Sequence, residues 1–376
     1  MARTGFEQLK KQTYFSIMDY YLLIPVIIIV LIGLSVLSRV LSQGFGDAYP
    51  MNLYRQIGAA LAGVLIALLL SVVEVPTMRL IAWSVYGVSL LLLVVVLVDN
   101  FSLAAETGSD SWLNLPVIGS FQPSELTKIG LAMTSAYVLE WISTYKRYWQ
   151  GVLILLGLFG VPLILITRQP DFGTAMVIVF IFVCMLFVWG IRWRYVLLGL
   201  SGFLIMIPLA WFFYFEEFQK NRILTFLYPG HDPAASYNLM QARLAIASGG
   251  LIGSPRETPV HVPVKESDFI YTAVSEHMGL IGTTALLLLI FFFLIRGLYV
   301  ASKVSGQRSA SALMLVGIIA GMAFHYIENL GMCVGLLPIT GIPLPFVSLG
   351  GSSMVVNFLA LGVMLSISMD RNLSER

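Results

Sequence analysis

Ten apolar runs, each close to the length of a membrane-spanning helix, dominate this sequence. A helix needs about 20 apolar residues to cross the hydrocarbon core of a bilayer. The runs are Tyr20–Leu41, Gln56–Val73, Arg79–Val98, Pro123–Ser143, Gln150–Thr167, Asp171–Gly190, Tyr195–Phe215, Asp268–Ile295, Ser311–Val334 and Leu344–Met369. Hydrophobic residues make up 58% of the 376 residues and charged residues 11%, which excludes a soluble protein. The sequence therefore predicts an all-α polytopic membrane protein with about ten transmembrane helices, forming one integral membrane domain over residues 1–376.

The distribution of Lys and Arg predicts the orientation of these helices, because positive residues favour the cytoplasmic side. With the N-terminus inside, thirteen Lys and Arg residues fall on the cytoplasmic side. Only Arg39, Arg55, Lys128 and Arg168 fall on the other side, apart from the long loop. We therefore expect both termini to be cytoplasmic. Residues 1–19 are expected to form a cytoplasmic segment, either a helix in the headgroup layer or a frayed tail.

A polar stretch of 54 residues, Tyr214–Ser267, separates the seventh and eighth runs. The predicted topology places it on the outer face of the membrane. Leu239–Ser248 has the pattern of a short amphipathic helix, and ordered loops of this length are usually functional. We therefore expect the loop to fold over the outer face and to lead directly into Asp268.

Polar motifs open three of the spans on this same outer face. They are Gln122-Pro123-Ser124-Glu125, Pro170-Asp171-Phe172-Gly173-Thr174 and the longer Gly341–Ser353 segment. Each motif alone is consistent with helix capping, because proline suits the first turn of a helix and polar acceptors pair with its free amides. Their gathering at one face favours a functional surface there.

These motifs, in this order, resemble those of the SEDS family (shape, elongation, division and sporulation). The resemblance also includes Tyr228–Pro233, Gly249–Gly253 and Ser267-Asp268-Phe269-Ile270-Tyr271. The sequence is most similar to the RodA branch, with the FtsW branch a near relative. The resemblance implies a peptidoglycan glycosyltransferase in the bacterial inner (plasma) membrane that polymerises lipid II at the outer leaflet during elongation. It also implies a class B penicillin-binding protein and other cell-shape proteins as partners.

The resemblance places the essential carboxylate at Asp268. The residues lead to the same position, because an acid between the long loop and an apolar span lies within reach of outer-leaflet headgroups. As a general base, Asp268 would take the proton of an attacking sugar hydroxyl. Alternatively it would bind a divalent metal, Mg²⁺ or Mn²⁺, or only cap its helix.

Basic residues on the outer side are the candidates for binding the pyrophosphate of the substrate. Lys128 follows Glu125 by three residues on one helix face, so the two form either part of the binding site or a structural ion pair. Arg168, Arg222 and Arg243 are the other candidates. Loop arginines are also often solvated or bound to lipid headgroups.

Four more polar residues complete the candidate substrate-binding set. Asp171 opens the sixth span, and Glu276 is expected either to line the cavity of Asp268 or to be a buried acid paired with His277 or a neighbouring helix. Ser348 and Ser352 flank an amide-rich turn that suits an anionic group, although tight packing explains such a turn equally well. Members of the family usually have Arg before Trp112, where this chain has Ser111, so any role of that arginine must be supplied elsewhere.

The residues alone are also compatible with two other functions. A lipid II flippase or transporter would also have intramembrane acids and interrupted spans, and a noncatalytic scaffold for wall synthesis is compatible with every span. Membrane lipids are expected partners. The net charge of +2 and the absence of basic runs argue against nucleic-acid binding.

Overall fold

The computed structural model describes residues 16–45, 51–97, 111–115, 119–213, 217–228, 231, 233–254, 259–304 and 309–374. These residues form twelve helices and one short hairpin. The helices are α1 (Tyr20–Phe45), α2 (Met51–Ser71), α3 (Val75–Val96), α4 (Pro123–Tyr145), α5 (Tyr148–Arg168), α6 (Phe172–Trp189), α7 (Trp193–Phe213), α8 (Glu217–Leu227), α9 (Pro233–Ser248), α10 (Ile270–Val304), α11 (Ser309–Val334) and α12 (Gly351–Ser374). Strands β1 (Leu113–Leu115) and β2 (Gly119–Phe121) pair antiparallel, with Leu113 opposite Phe121.

The ten long helices, α1–α7 and α10–α12, coincide with the ten predicted spans. In the described part of the chain, eight of them are both long and apolar enough to cross a membrane, and α4 and α7 are the other two. Helix α4 is less apolar because it carries Glu125, Lys128 and Glu140. The predicted all-α polytopic class is confirmed, and the chain is a multi-pass membrane protein.

Most predicted helix starts differ from the structure by a few residues, and the largest difference is at α12. Helix α12 begins at Gly351 instead of Leu344, because Pro343 and Pro345 disfavour helical backbone at and before their own positions. Helix α10 begins at Ile270 and continues to Val304, nine residues past the predicted end. Each predicted span therefore corresponds to a long helix in the same order, and the polar segments that precede α10 and α12 are longer than expected.

The long loop is largely helical. The predicted helix at Leu239–Ser248 is part of α9, which begins earlier, at Pro233. Helix α8 and the β1–β2 hairpin were not predicted. The predicted interfacial segment lies mostly outside the described residues, as do residues 214–216 at the start of the loop.

Helices α11 and α12 form the centre of the bundle. About 83% of the apolar window of each is buried, against 28–44% for the other six membrane-length windows. Helix α12 packs along α2, and α11 packs against α4, α6 and α10. The outer helices expose large apolar side chains such as Leu61 and Leu153, which suit contact with lipid tails. The polar segments between the central helices therefore lie at one end of a buried core.

Helix α10 is interrupted at Gly279, whose backbone adopts φ 63° and ψ −168°. The turn that follows α9, residues 249–254, fits into this break. The bonds are Ser254 N to Glu276 O (2.7 Å), Leu280 N to Gly250 O (2.9 Å) and Ile281 N to Leu251 O (3.1 Å). Backbone groups freed within a membrane helix need protein partners. The long loop supplies them and is thereby fixed to α10.

Candidate functional site

Asp268 is the last residue but one before α10. Its side-chain Oδ1 accepts a hydrogen bond from the Ser267 hydroxyl at 3.0 Å. Its backbone carbonyl accepts one from Asn329 Nδ2 at 2.7 Å. Among the described residues, no amide of the first turn of α10 donates to the Asp268 carboxylate. The backbone of Asp268 is therefore fixed by α11, and its carboxylate does not serve as the cap of α10.

The segment between α11 and α12 forms the second wall around Asp268. Asn329 Nδ2 also donates to Ile342 O at 2.8 Å, so one amide joins the Asp268 backbone to this segment. Gly341 has φ 77°, and a side-chain carbon built there would lie 3.2 Å from Asp268 Oδ2. Glycine at 341 therefore satisfies a left-handed backbone conformation and leaves space beside the carboxylate.

Ser348 holds the same two segments together. Its hydroxyl donates to Ser267 O at 2.6 Å and accepts from Leu344 N at 2.8 Å. Next to it, Leu349 N donates to Glu266 O at 2.9 Å. These bonds occupy the Ser348 hydroxyl. Ser348 therefore positions Ser267, the residue before Asp268, and its hydroxyl is not directed toward a ligand.

The turn that begins α12 is similarly held by protein groups. Gln56 donates to Ser348 O and accepts from Gly350 N, both at 3.0 Å. Ser352, which is buried, donates to Ser120 O at 3.1 Å and thereby joins α12 to β2. The sequence predicts that this amide-rich turn could receive an anion. In the structure, the Gly350 amide is bonded to Gln56, and the Ser352 hydroxyl is bonded to Ser120 of the hairpin.

Arg222 of α8 brings positive charge to Asp268. Its Nη1 donates to Thr340 O at 3.1 Å, and its guanidinium interacts electrostatically with Asp268, Asp171 and Glu328. Burial raises the pKa of Asp268 to about 6, whereas the hydrogen bond from Ser267 and the charge of Arg222 lower it. A carboxyl group with this pKa is mostly ionised at neutral pH and is still basic enough to accept a proton.

Asp171 caps helix α6 and belongs to the same polar face. Its Oδ1 accepts from Thr174 N at 3.0 Å, which is the N-cap bond. Its Oδ2 accepts from Gln122 Nε2 at 2.9 Å and from the Ser124 hydroxyl at 3.4 Å. The predicted capping role is present, and Asp171 also joins the motif that opens α4 to the charge of Arg222.

Glu125 and Lys128 form a buried ion pair, with 2.7 Å between Lys128 Nζ and Glu125 Oε1. Lys128 Nζ also lies 2.5 Å from His325 Nε2, and His325 Nδ1 lies 3.2 Å from Pro343 O. These contacts fit a neutral His325 that accepts at Nε2 and donates at Nδ1. The three side chains connect α4 to α11 and to the segment beside Asp268.

Glu276 is buried, with 1% of its surface exposed, and faces the 259–269 segment. It forms an ion pair with Lys265, which is also buried. Its Oε1 accepts from Val260 N at 2.8 Å, and Lys265 Nζ donates to Val260 O at 3.2 Å. Glu276 is therefore paired, as one prediction expected, but its partner is Lys265 in the segment before α10 and not His277 or a neighbouring helix. The pair anchors the segment that carries Asp268.

Two predicted residues lie away from this cluster. Arg243 donates from Nε to Val334 O at 3.2 Å, at the end of α11. A positive side chain there complements the negative end of the helix. Arg168 is exposed in the last turn of α5. Of the three arginines considered, Arg222 is the one that the structure brings to Asp268.

Four residues of the site were not identified from the sequence: Asn329, Gln56, Lys265 and Glu328. Asn329 and Gln56 are buried amides in apolar helices, and such burial is costly unless both ends of the amide are bonded. An amide side chain within an apolar run is therefore the sequence signal that would have identified Asn329 and Gln56. Both carboxylate oxygens of Glu328 are buried without a hydrogen-bond partner among the described residues.

Few described side chains are arranged to serve as ligands of a metal ion. No group of three or more His, Cys, Asp or Glu side chains in the described part of the chain is arranged to hold a metal ion. The positive charge of Arg222 also lies among the nearest carboxylates. The described residues therefore do not form a metal site by themselves.

Comparison with known proteins identifies a family that matches nearly the whole chain. Residues 13–373 match the model of a family described as cell cycle protein, that of FtsW, RodA and SpoVE. The chain is 31% identical over 360 residues to the peptidoglycan glycosyltransferase MrdB of Escherichia coli K12, covering 94% of this chain and 95% of MrdB. It is 32% identical over 299 residues to a probable peptidoglycan glycosyltransferase FtsW of Geobacter sulfurreducens, covering 76% and 78%.

Two solved structures share the fold along nearly the whole chain. One is a chain from a study of how a peptidoglycan synthase complex coordinates polymerization and crosslinking. It has a TM-score of 0.78 and 31% identity, and the match covers 94% of this chain and 98% of that one. The other is the rod shape determining protein RodA of Thermus thermophilus, with a TM-score of 0.67, 30% identity and coverage of 94% and 97%.

Proposed function

This chain belongs to the FtsW, RodA and SpoVE family and is a peptidoglycan glycosyltransferase, and we propose that it polymerises lipid II with Asp268 as its key carboxylate. The reaction would take place at the outer leaflet of the bacterial inner membrane, with both termini in the cytoplasm. Cell elongation is the proposed setting, and the supporting observations are the 31% identity to MrdB over 94% of the chain and the similarity to the solved rod shape determining protein RodA.

In the proposed reaction, a sugar hydroxyl of one lipid II molecule attacks the anomeric carbon of another glycosyl group. A new carbon–oxygen bond forms as the bond to the polyprenyl pyrophosphate breaks, with inversion at that carbon. The Asp268 carboxylate accepts the hydroxyl proton as the new bond forms and later releases it to water. The leaving pyrophosphate carries away the electron pair of the broken bond.

The observation that supports this role most directly is the environment of the Asp268 carboxylate. It is half-buried, its pKa is raised to about 6, and its backbone is fixed by Asn329. A residue that only caps a helix would direct its carboxylate to the amides of the first turn. Asp268 instead lies beside Arg222, whose positive charge keeps the carboxylate ionised at neutral pH.

We propose different roles for the other predicted residues according to their contacts. Arg222 tunes the charge of Asp268 and lies closest to any pyrophosphate bound there. Ser348, Ser352 and Glu276 position the segments around Asp268, and Asp171 and the Glu125–Lys128 pair join the neighbouring helices to them. Arg168 and Arg243, which lie outside this cluster, keep a proposed role in contacting headgroups at the outer face.

A divalent metal remains a separate proposal. Because Mg²⁺ is often bound by one or two carboxylates together with substrate phosphates, Asp268 would be a single protein ligand and the substrate would supply the others. When bound, such an ion would neutralise charge on the leaving pyrophosphate. No step of the reaction above depends on it.

A class B penicillin-binding protein is the proposed partner. The supporting observation is that a similar chain occurs in the structure of a peptidoglycan synthase complex concerned with polymerization and crosslinking. The partner would crosslink the glycan strands that this chain produces.

The function is tested by incubating purified lipid II with the purified protein, with and without its candidate partner, and separating the products by size. We expect polymer from the native protein and none from Asp268→Ala, with both proteins folded to the same extent. Chelation of divalent cations tests the metal proposal separately. If folded native protein makes no polymer under any of these conditions, the proposed activity is wrong, and lipid transport and scaffolding become the alternatives to measure.

A further inference from the structure

A groove between α1 and α10 combines basic and apolar groups. It has a volume of about 490 Å³. Ser35 and Arg39 of α1 line one wall, and Ile252, His277 and Ile281 line the other. Neither Asp268 nor Arg222 is among the residues that line it. The groove is therefore separate from the surface that carries Asp268.

The polar end of the groove has positive character. Arg39 is exposed, and in the described part of the chain it makes no ion pair with a carboxylate. His277 Nε2 is buried and has no hydrogen-bond partner among the described residues. The nearest acid in sequence, Glu276, is already paired with Lys265. An anion in the groove would therefore meet uncompensated donors.

The rest of the groove is apolar. Ile252 is 81% exposed and Ile281 is 64% exposed, so both present bare hydrocarbon surface beside the basic end. Arg39 lies six residues before the outer end of α1, a distance of about 9 Å along the helix. In the predicted orientation, this is the depth at which a lipid headgroup meets its acyl chains.

The break in α10 gives this groove its shape. The backbone bonds between the 249–254 turn and residues 276–281 hold Ile252 against α10. A continuous helix would have no place for that turn and would offer no second wall opposite α1. The groove is thus built from three separate segments, of which the 249–254 turn and α10 are joined by hydrogen bonds.

We propose that this groove binds the phosphate group of an outer-leaflet lipid, with Arg39 and His277 contacting the phosphate and Ile252 and Ile281 contacting the chain. Arginine binds phosphate oxygens through charge-assisted hydrogen bonds, and the neutral imidazole donates one from Nε2 when its proton is there. The phosphate belongs either to an anionic phospholipid or to a polyprenyl pyrophosphate. This proposal does not depend on the role of Asp268.

The test is native mass spectrometry of the purified full chain in a neutral detergent, titrated separately with phosphatidylglycerol, polyprenyl pyrophosphate and diacylglycerol. We expect one tightly bound phosphate lipid and no comparable binding of diacylglycerol, which has the chains without the phosphate. Preference for phosphatidylglycerol would identify a resident phospholipid. Preference for the pyrophosphate would identify a substrate or product lipid.

Variants connect the binding to the groove. Arg39→Gln combined with His277→Gln is expected to weaken binding of the phosphate lipid about tenfold or more, since the charge-assisted contact from Arg39 is lost together with the imidazole donor. Arg192→Gln, which removes the same charge from an exposed position at the other end of the bundle, is the matched control and should leave affinity unchanged.

Arg39→Glu provides an independent variant if the double variant unfolds, because an exposed residue tolerates such a change. It is expected to weaken phosphate-lipid binding more than Arg39→Gln does. The proposal is overturned if diacylglycerol binds as tightly as the phosphate lipids, or if the folded Arg39 variants bind them as tightly as the native protein does.

Discussion

At the scale of single residues, the proposed chemistry depends on how Asp268 and Arg222 share one partly dry environment. Burial raises the pKa of Asp268 to about 6, and Arg222 acts in the opposite direction. Burial also lowers the pKa of Arg222, whereas the surrounding carboxylates raise it. Each residue therefore supports the charged form of the other, and the loss of either has a predictable effect on pH dependence.

Arg222→Gln is expected to move the acidic limb of the pH–rate profile upward from near pH 6 by about one unit. Without the positive charge, the Asp268 carboxylate holds its proton more strongly and is less ionised at neutral pH. The measurement is the rate of lipid II polymerisation between about pH 5 and 9, where activity should recover in part at high pH. Lys220→Gln, a change on the same helix α8, is the control. An unmoved limb in a folded Arg222 variant would contradict the assigned role.

Asp268→Asn is expected to stabilise the folded protein while removing activity. The folded-state pKa of about 6 lies above the ordinary value of 3.8, so the ionised carboxylate destabilises the fold as pH rises through this window. At pH 7 to 8 the variant should be more stable by about 1–3 kcal/mol, and the difference should vanish below about pH 4. Thermal unfolding in mild detergent at several pH values measures this. A variant less stable than native protein at pH 7 would contradict the prediction.

The sequence singled out Asp268 as an acid at the boundary between a long loop and an apolar run, but its position alone left catalysis and helix capping equally open, and the family resemblance favoured catalysis. It did not single out Arg222, since three arginines had equal claims until the fold of α8 brought one of them within electrostatic reach of Asp268. It also predicted ligand contacts for Ser348, whose hydroxyl is occupied by Ser267 and Leu344. Which partner a serine chooses depends on segments distant in sequence, and a single sequence does not contain that information.

At the scale of helices and turns, two structural features fix the segment that carries Asp268. One is the buried pair of Lys265 and Glu276, and the other is the insertion of the 249–254 turn into the break of α10. Both join the long loop to α10. The loop is therefore a structural part of the site. Substitutions that disrupt either feature should displace Asp268, although they lie at a distance from it.

Lys265→Met leaves the Glu276 carboxylate buried and unpaired, so it is expected to destabilise the protein by about 3–5 kcal/mol. The double variant Lys265→Met with Glu276→Leu should recover much of that loss, because no unpaired charge remains. Lys220→Met is the control, since Lys220 pairs with a Glu217 side chain that is 83% exposed, and it should cost less than about 0.5 kcal/mol. Thermal unfolding gives the values. Equal effects of Lys265→Met and Lys220→Met would contradict the buried-pair account.

Gly279→Ala is expected to destabilise the fold by about 2–3 kcal/mol or more, because an alanine side chain would collide with the backbone of Gly253 and Ile252 at a strained φ of 63°. Hydrogen exchange should also rise in the 249–254 turn. Gly157→Ala in α5, where nothing lies within 4 Å, is the matched control and should be neutral or slightly stabilising. If the two variants unfold at the same temperature, the break does not require glycine.

The helices themselves were predictable because a membrane imposes a length on every apolar run. The break at Gly279 was not, since a glycine within an apolar run is compatible with a continuous helix. The hairpin β1–β2 and helix α8 were missed because short elements in polar segments have weak periodicity. Their structure is set by contacts such as that of Ser352 with Ser120.

At the scale of the whole molecule, counting the spans was sufficient to predict that the polar motifs meet at one face. The structure joins them through side chains: Asp171 bonds to Gln122, Arg222 to Thr340 and Ser348 to Ser267. Helices α4, α11 and α12 provide the buried frame below. This arrangement differs from that expected of a transporter with essential charges spread over two related halves, and it favours chemistry at the membrane surface.

The central claim is that the ionised carboxylate of Asp268 performs the glycosyl transfer. The most direct measurement compares lipid II polymerisation by native protein and by Asp268→Asn, which keeps the shape of the side chain and removes its charge, at equal folded fraction and with the same partner protein. We predict that Asp268→Asn forms no glycan polymer while its unfolding temperature is at least that of the native protein. Polymer formation by folded Asp268→Asn at the native rate would contradict the claim.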